Sequence, residues 1–313
     1  MAEELSFTES KQSKTDFTPE ISIIIPAFRE EKSIAIAVEK VRKVMDGLNR
    51  HYEIIVVDDG SDDETANKAK QAGALVISHP YNIGNGAAVK TGIREACGKT
   101  LVMLDGDGQH APEDIPQLLE KLGHYDMVVG ARTDKSERSF GRTIANRIYN
   151  RFATYMCKRK IEDLTSGFRV VKANIARLFL NLLPNTFSYP TTITMAVIRS
   201  GYSLTYVPIK TSRRTGKSKI KPFKDGPRFF LIILKIATMF SPMRVFLPVS
   251  FFMFFLGLGY GLFKIFVLQQ RYGPTSAMLM TVSVVIFMVG LVSEQVAQLR
   301  FDRTTHSDKH QQH

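Results

Sequence analysis

The sequence predicts an α/β protein with a Rossmann-like, mostly parallel sheet, followed by interfacial helices and a C-terminal transmembrane helical hairpin. Three features carry this expectation: short apolar runs that end in acidic or polar residues before a helical pattern, two long uncharged apolar runs near the C-terminus, and a basic stretch between these parts. At 313 residues the chain has room for one α/β domain of roughly 220 residues and an appendage.

Residues 1–20 are polar with no apolar core, which predicts a disordered arm and no signal peptide. Ile21-Ser-Ile-Ile-Ile-Pro-Ala-Phe-Arg-Glu-Glu31 reads as a buried strand broken by Pro26, followed by a helix from Ser33 to about Leu48. Glu53-Ile-Ile-Val-Val-Asp-Asp-Gly-Ser-Asp62 is a second strand ending in paired carboxylates, with a helix to about Ala72. After a third strand, Asn82-Ile-Gly-Asn-Gly-Ala-Ala-Val-Lys-Thr-Gly92 is a glycine-rich helix start, a weak match to a dinucleotide loop. The apolar run Thr100 to Leu104 then leads into Asp-Gly-Asp-Gly-Gln-His110. Side chains two apart in an extended chain share a face, so Asp105 and Asp107 are expected to form a divalent-cation claw, with Gln109 or His110 as a third ligand. Gly106 and Gly108 add no side-chain bulk and leave room for a diphosphate close to the backbone. An acidic β-turn is the bland reading of the same residues. In an open α/β sheet the carboxyl ends of the strands collect at one edge, the usual place for a nucleotide.

On these residues the chain resembles the family 2 glycosyltransferases of GT-A fold, from Ile21 to about Lys224. Pro26, Phe28 and Glu30 match that family's Pro-x-Tyr-x-Glu opening, with Phe for Tyr; Asp58-Asp59-Gly60-Ser61 matches its base-binding turn and Asp105-x-Asp107 its metal motif. The resemblance implies that Pro26, Phe28, Glu30, Asp58, Asp59, Gly84, Gly86, Asp105 and Gly106 hold a nucleotide sugar. It also implies Mg²⁺ or Mn²⁺ on Asp105, Asp107 and Gln109. Met127-Val-Val-Gly-Ala-Arg132, Asp163-x-Thr-Ser-Gly-Phe-Arg169 and Arg213-Arg-x-Gly-x-Ser-Lys219 are similar to segments of the dolichol-phosphate mannose synthases and of bacterial relatives that load a sugar onto a polyprenyl phosphate. By that likeness Arg132, Arg142, Arg169, Arg213 and Lys219 meet the acceptor phosphate. Asp107, Asp163, Arg132 and Arg169 form the catalytic set, with Asp163 orienting the sugar or acting as base. Arg29 stands where the family usually has Asn, and Arg214 adds a charge beside Arg213, which leaves sugar and base specificity open. UDP-hexose or UDP-N-acetylhexosamine is slightly favoured over GDP-mannose. A polyprenyl phosphate is already an ionised nucleophile, so positioning and charge neutralisation matter more than proton removal.

Residues 21–224 are thus expected to form the GT-A domain, 225–244 a juxtamembrane amphipathic segment, 245–299 two transmembrane helices and 300–313 a cytoplasmic tail. Val245 to Phe263 and Tyr272 to Ser293 carry no charge, and each approaches the ~20 residues that cross a bilayer. Lys264 and Glu294 lie near the ends of these runs, where they are expected to reach headgroups or water. Lys210 to Arg244 holds ten Lys or Arg and one acidic residue, which puts the large domain and both chain ends in the cytoplasm. This stretch supplies much of the net charge of +12 and points to anionic lipid as a partner, not nucleic acid. Cys97 and Cys157 lack metal-site spacing and read as reduced thiols in preference to a disulfide. A homo-oligomer is compatible with the sequence. A processive polysaccharide synthase would carry a Gln-x-x-Arg-Trp motif, and this chain has no Trp. A non-enzymatic membrane scaffold would not need paired Asp105 and Asp107 beside a full set of nucleotide positions.

Overall fold

The computed structural model describes residues 18–108, 110–132, 150–151, 153–210, 234–235 and 238–307, with side chains to residue 299. The polar arm to residue 17, Gln109, Arg142, Arg213, Lys219, most of the juxtamembrane segment and the end of the tail lie outside the described residues.

Seven strands form one sheet: β1 (Ile21–Ala27), β2 (Tyr52–Asp58), β3 (Leu75–Ser78), β4 (Thr100–Met103), β5 (Met127–Arg132), β6 (Arg169–Lys172) and β7 (Leu204–Ile209). Their spatial order is β3-β2-β1-β4-β6-β5-β7. Only β6 runs against its neighbours β4 and β5. Because β6 is reversed, its first residue, Arg169, lies at the edge where the parallel strands end.

Alternating residues of the strands feed two cores, as the two-residue period of a strand requires. Ile24, Ile55, Val57 and Met103 pack with α3 (Asn85–Glu95), the helical residues 153–157, α5 (Ala173–Leu178) and α6 (Tyr189–Arg199). Ile23, Ile25, Ile54 and Val56 pack with α1 (Ile34–Asp46), α2 (Thr65–Gln71) and α4 (Ile115–Leu122). On α1 the buried Ile34, Val38, Val41 and Met45 recur at helical spacing.

Contrary to expectation, Pro26 does not break β1, which stays paired with β2 to Ala27. Ile24 O accepts from Leu104 N on the β4 side, whereas Ala27 O accepts from Asp59 N on the β2 side. Even-numbered residues therefore address β4, whose pairing with β1 ends at Ile24, so the missing Pro26 N–H costs no ladder bond.

At the C-terminus α7 (Met243–Phe266) and α8 (Pro274–Ser307) form an antiparallel hairpin. Spans of 24 and 26 residues, Met243–Phe266 and Pro274–Leu299, have the length and apolar composition to cross a bilayer, and only 17% of each apolar window is buried. That exposure is the reverse of a soluble core helix: Phe251, Phe252, Phe255, Phe266 and Met278 face outward. Ser250 Oγ donates to Ser283 O at 2.8 Å between the helices. Glu294, partly exposed, accepts the Met243 N–H on Oε2 at 3.1 Å, where the N-terminus of α7 favours a negative charge.

Cys97 and Cys157 are unpaired, as expected. Burial pushes the Cys157 thiol up to about 11.

Candidate active site

Of the acidic and basic residues singled out above, Asp58, Asp59, Asp105, Asp107, Arg132, Asp163 and Arg169 lie among the described residues, at the carboxyl edge of the sheet. β2 ends at Asp58, and Gly60 takes a φ of +74°, where a Cβ would lie 2.5 Å from the Tyr81 carbonyl carbon. Only glycine suits this turn. Asp58 Oδ1 accepts Ser61 N at 3.2 Å, leaving its second oxygen for other contacts. Asp59 has a different job from the one expected. Its Oδ1 accepts Ile83 N at 3.0 Å and lies 2.8 Å from His79 Nδ1, and its Oδ2 accepts Gly84 N at 2.8 Å. His79 Nε2 in turn sits 2.9 Å from Thr91 Oγ1 on α3. Asp59 is therefore spent on holding the glycine-rich loop. Gly84 and Gly86 likewise serve close backbone packing, since a Cβ on Gly86 would overlap the carbonyl oxygens of Pro184 and Thr186.

After β1 the chain turns through Arg29 with a φ of +55°. Asn tolerates this left-handed region more readily than Arg. Arg29 is held there by Asp62, through Nε at 2.7 Å and Nη2 at 2.8 Å, and by its N–H on Ser61 Oγ at 2.9 Å. Phe28 is half-buried, and the Arg29 guanidinium lies 5.1 Å from its ring. Glu30 N donates to Thr65 Oγ1, and Ser33 Oγ lies 2.8 Å from Glu30 Oε2 and 3.1 Å from Gly106 O. Ser33 thereby ties the Pro26–Glu30 segment to the acidic turn.

That turn differs from the extended claw expected from the spacing. The chain bends at Gly106 and Asp107, and Gly108 has a φ of +71°. Gly106 lies under β1, where a Cβ would stand 3.1 Å from Pro26 O. Asp105 and Asp107 are both partly exposed. Burial pushes the Asp105 carboxyl up, but the hydrogen bond and charge of His110, then Arg132 and Arg169, outweigh it and hold the group below the usual carboxylate range. His110 Nε2 is 3.4 Å from Asp105 Oδ2. The other ring nitrogen, Nδ1, is buried with no hydrogen-bond partner among the described residues.

Among the described residues no three His, Cys, Asp or Glu side chains converge as a metal cage. The donor set suits a hard cation that takes one or two carboxylates from the protein and the rest of its shell from substrate phosphate and water, the usual mode for Mg²⁺. Two partly exposed carboxylates on a glycine turn, one of them kept ionised, meet that requirement.

Across the edge, β5 delivers Arg132. Its Nε and Nη2 bond Asp163 Oδ2 and Oδ1 at 2.7 and 2.9 Å, and Nη2 reaches Thr165 Oγ1 at 2.6 Å. Such a two-pronged pair fixes the guanidinium plane. Burial raises the Asp163 carboxyl, but the Arg132 side chain and the N–H groups of Arg132 and Thr165 outweigh it and hold the group low. Both Asp163 oxygens are engaged by Arg132, so the carboxylate orients that guanidinium. Arg169 is wholly buried; its Nη1 donates to Pro190 O at 2.9 Å and to Thr194 Oγ1 at 3.2 Å, and Nη2 donates to Ser166 O. The expected phosphate contact from Arg169 is therefore corrected. Its charge lies behind Asp105 and Asp163, where it supports both carboxylates.

Four residues were given no role at the site by the sequence: His79, Ser33, Gly167 and Asn150. His79 follows β3 directly, so its place at a strand's carboxyl end was a usable signal. Gly167 sits where a Cβ would overlap Asp105 Oδ2, a long-range contact that no local pattern encodes.

The family description Glycosyl transferase family 2 matches residues 22–179, and the description GtrB C-terminal hairpin matches residues 241–299. An uncharacterised protein of Methanocaldococcus jannaschii is 33% identical over 233 residues, 69% of this chain and 93% of that protein. Undecaprenyl-phosphate 4-deoxy-4-formamido-L-arabinose transferase of Proteus mirabilis is 30% identical, over 54% of this chain and 56% of its own length. Dodecaprenyl-phosphate galacturonate synthase of Rhizobium johnstonii is 32% identical, over 50% of this chain and 49% of its own length. The chain thus spans about half the length of these two named enzymes. Among solved structures, glucosyl-3-phosphoglycerate synthase from Mycobacterium tuberculosis in complex with Mn²⁺ and UDP-glucose superposes with a TM-score of 0.57 at 18% identity, covering 70% of this chain and 79% of that one, a likeness of fold. With half of its length matched by the family and a relative covered almost end to end, this chain belongs to Glycosyl transferase family 2 and is a glycosyltransferase with a C-terminal membrane hairpin.

Proposed function

We propose that the enzyme transfers a sugar from a nucleotide sugar, with a UDP-linked donor favoured, to the phosphate of a polyprenyl lipid at the cytoplasmic face of a membrane. The observation that carries this reading is the ion-paired Arg132, set on the same sheet edge as Asp58 and the Asp105–Gly108 turn in a domain attached directly to a membrane hairpin. The relatives named above act, by their names, on undecaprenyl and dodecaprenyl phosphate, which supports the acceptor class. The Mn²⁺ and UDP-glucose of the structural neighbour accord with the donor and cofactor.

Asp58 faces the base, and the Pro26–Glu30 segment closes over the nucleoside. Asp105 and Asp107 hold Mg²⁺ or Mn²⁺, with Gln109 as a further ligand. When bound, the cation supplies charge neutralisation to the diphosphate leaving group. Arg132, kept planar by Asp163, takes the acceptor phosphate, and Arg142, Arg213 and Lys219 add positive charge. A phosphate oxygen attacks the anomeric carbon in line, the bond from that carbon to the diphosphate oxygen breaks, and the nucleoside diphosphate leaves with its electron pair. The sugar configuration inverts, and no proton need move. Membranes holding the enzyme, given undecaprenyl or dolichyl phosphate and a panel of radiolabelled UDP- and GDP-sugars, should yield solvent-extractable label from one donor. Label from none, with active enzyme shown by donor binding, would refute the acceptor.

Gly167→Ala tests Asp105 independently. The new methyl must push the Asp105 carboxylate aside by about 1 Å, a misplacement that can cost about 10²-fold in rate. The Mn²⁺ concentration for half-maximal activity should rise as the rate falls. Wild-type cation dependence in this variant would remove Asp105 from the site.

The basic excess before α7 places the loop between the two spans outside and the tail inside. In a Cys97→Ser background, Arg271→Cys should react with an impermeant maleimide on intact cells and Asp308→Cys should not. The opposite pattern would invert the enzyme and put its site on the wrong face for a cytoplasmic donor.

A further inference from the structure

Asn150 appears in none of the motifs above, yet its side chain grips the backbone on both sides of Asp163. Asn150 Nδ2 donates to Glu162 O at 2.7 Å, and Asn150 Oδ1 accepts from Leu164 N at 3.2 Å. Between these two bonds, Asp163 carries the carboxylate that sets the plane of Arg132. Four residues on, Thr154 Oγ1 accepts Ile161 N at 3.1 Å, so the same helical segment also holds the start of the Asp163 loop. Ala153, Met156 and Cys157 fix the segment to the core through the same buried cluster as Ile161 and Leu164. Its far end meets the membrane hairpin. Arg244, the second residue of α7, donates through Nη1 to Tyr155 O at 2.9 Å and also to Met156 O. A guanidinium on the last carbonyls of a helix satisfies groups that lack partners within the helix and matches the negative end of its dipole.

We propose that the helical residues 150–151 and 153–157 act as a strut between the membrane hairpin and the acceptor half of the active site, with Asn150 as the positioning residue for Asp163 and Arg244 as the membrane-side anchor. The reasoning is geometric. An amide carries its donor and its acceptor on two separate atoms, so Asn150 restrains the peptide units on either side of residue 163 at once. The two restraints leave the Asp163 carboxylate to face Arg132, and the hook at Arg244 makes the first span continuous with this arrangement. Seating of the hairpin in the bilayer and the aim of Arg132 are then set by one rigid element. The catalytic part of the proposal rests on Arg132 meeting the acceptor, as argued above. The mechanical part does not.

The test uses the full-length enzyme in lipid nanodiscs, with wild type, Asn150→Asp and Arg244→Ala compared by hydrogen exchange and by kinetics. Asn150→Asp keeps the acceptor for Leu164 N but sets an oxygen against Glu162 O, a milder lesion than truncation. Exchange over residues 161–166 should quicken about tenfold in Asn150→Asp, and by a smaller measurable factor in Arg244→Ala. Turnover at saturating polyprenyl phosphate should fall about tenfold in Asn150→Asp, while the donor Kd with Mn²⁺ stays within about twofold. A merely structural role would weaken donor binding and turnover together. Unchanged exchange in Asn150→Asp overturns the strut whatever the kinetics show. Unchanged exchange in Arg244→Ala overturns its link to the hairpin. Faster exchange with wild-type turnover overturns the positioning role. If wild type itself transfers nothing to polyprenyl phosphate while the exchange effects appear, the acceptor assignment fails and the strut stands as a mechanical link alone.

Discussion

Asp107→Asn is expected to lower sugar transfer by about three orders of magnitude, because it removes a charge that holds the cation against a diphosphate leaving group. Asp107 is partly exposed and the substitution is isosteric, so the fold should persist. Melting temperature and membrane insertion should match wild type while turnover collapses. Excess Mn²⁺ should restore part of the rate if the defect is in cation affinity. EDTA should reduce wild type to the level of the variant. Near wild-type activity in Asp107→Asn, or indifference to EDTA, would remove the metal from the reaction.

Asp163→Asn is expected to damage both stability and rate. Asp163 is 7% and Arg132 23% exposed at their side chains, so the substitution leaves a mostly buried guanidinium without its counter-charge. Breaking a fully enclosed pair in this way costs about 3–5 kcal/mol, and the residual exposure of Arg132 brings this case below that range, to about 2–3 kcal/mol. Transfer should fall by about 10²-fold as Arg132 loses its fixed plane. Arg132→Ala and the double variant complete a cycle. If the two act as a unit, the double variant should lose little more than either single one. The pair also carries a pH signature. The folded Asp163 is held below the ordinary carboxylate value of about 3.9, so its contribution to stability is fully present above that value and is lost as pH falls below it. Asp163→Asn should flatten the acid limb of the stability curve. A variant with wild-type turnover would show that Arg132 is not aimed by Asp163.

The parts of this enzyme that were legible in its sequence are those written in local periodicity. Ile23–Ile25 and Ile54–Val57 are continuous apolar runs because strands covered on both faces have no polar side. The hairpin announces itself because a bilayer demands some twenty residues without charge. Strand order was not legible: nothing within Arg169–Lys172 marks it as the one reversed strand, and its place between β4 and β5 follows only from long-range pairing. The site was half legible. Chemistry-bearing residues could be named, but not who partners whom. Asp58 and Asp59 are neighbours of one type, yet one accepts the Ser61 N–H within its own turn and the other spends its oxygens on Ile83, Gly84 and His79. Arg132 and Arg169 each close a motif, yet one is partly open and the other sealed beneath Pro190 and Thr194. Pro26 and the Asp105–Gly108 turn were misread for one reason: spacing rules assume a regular strand, and here the chain outruns β4 or bends under β1. Glu294 reads as an interfacial anchor by position, and its bond to the Met243 N–H that opens α7 is a long-range contact no local pattern shows.

The central claim is that the sugar alone, not a sugar phosphate, passes to a lipid phosphate. The direct measurement is the mass of the lipid product formed by the purified full-length enzyme from one nucleotide sugar, Mn²⁺ and undecaprenyl phosphate. The account predicts a lipid carrying one hexose unit and a single phosphorus, formed together with an equal amount of nucleoside diphosphate. A lipid diphosphate sugar with release of nucleoside monophosphate, or no lipid product with every donor that binds, would contradict it.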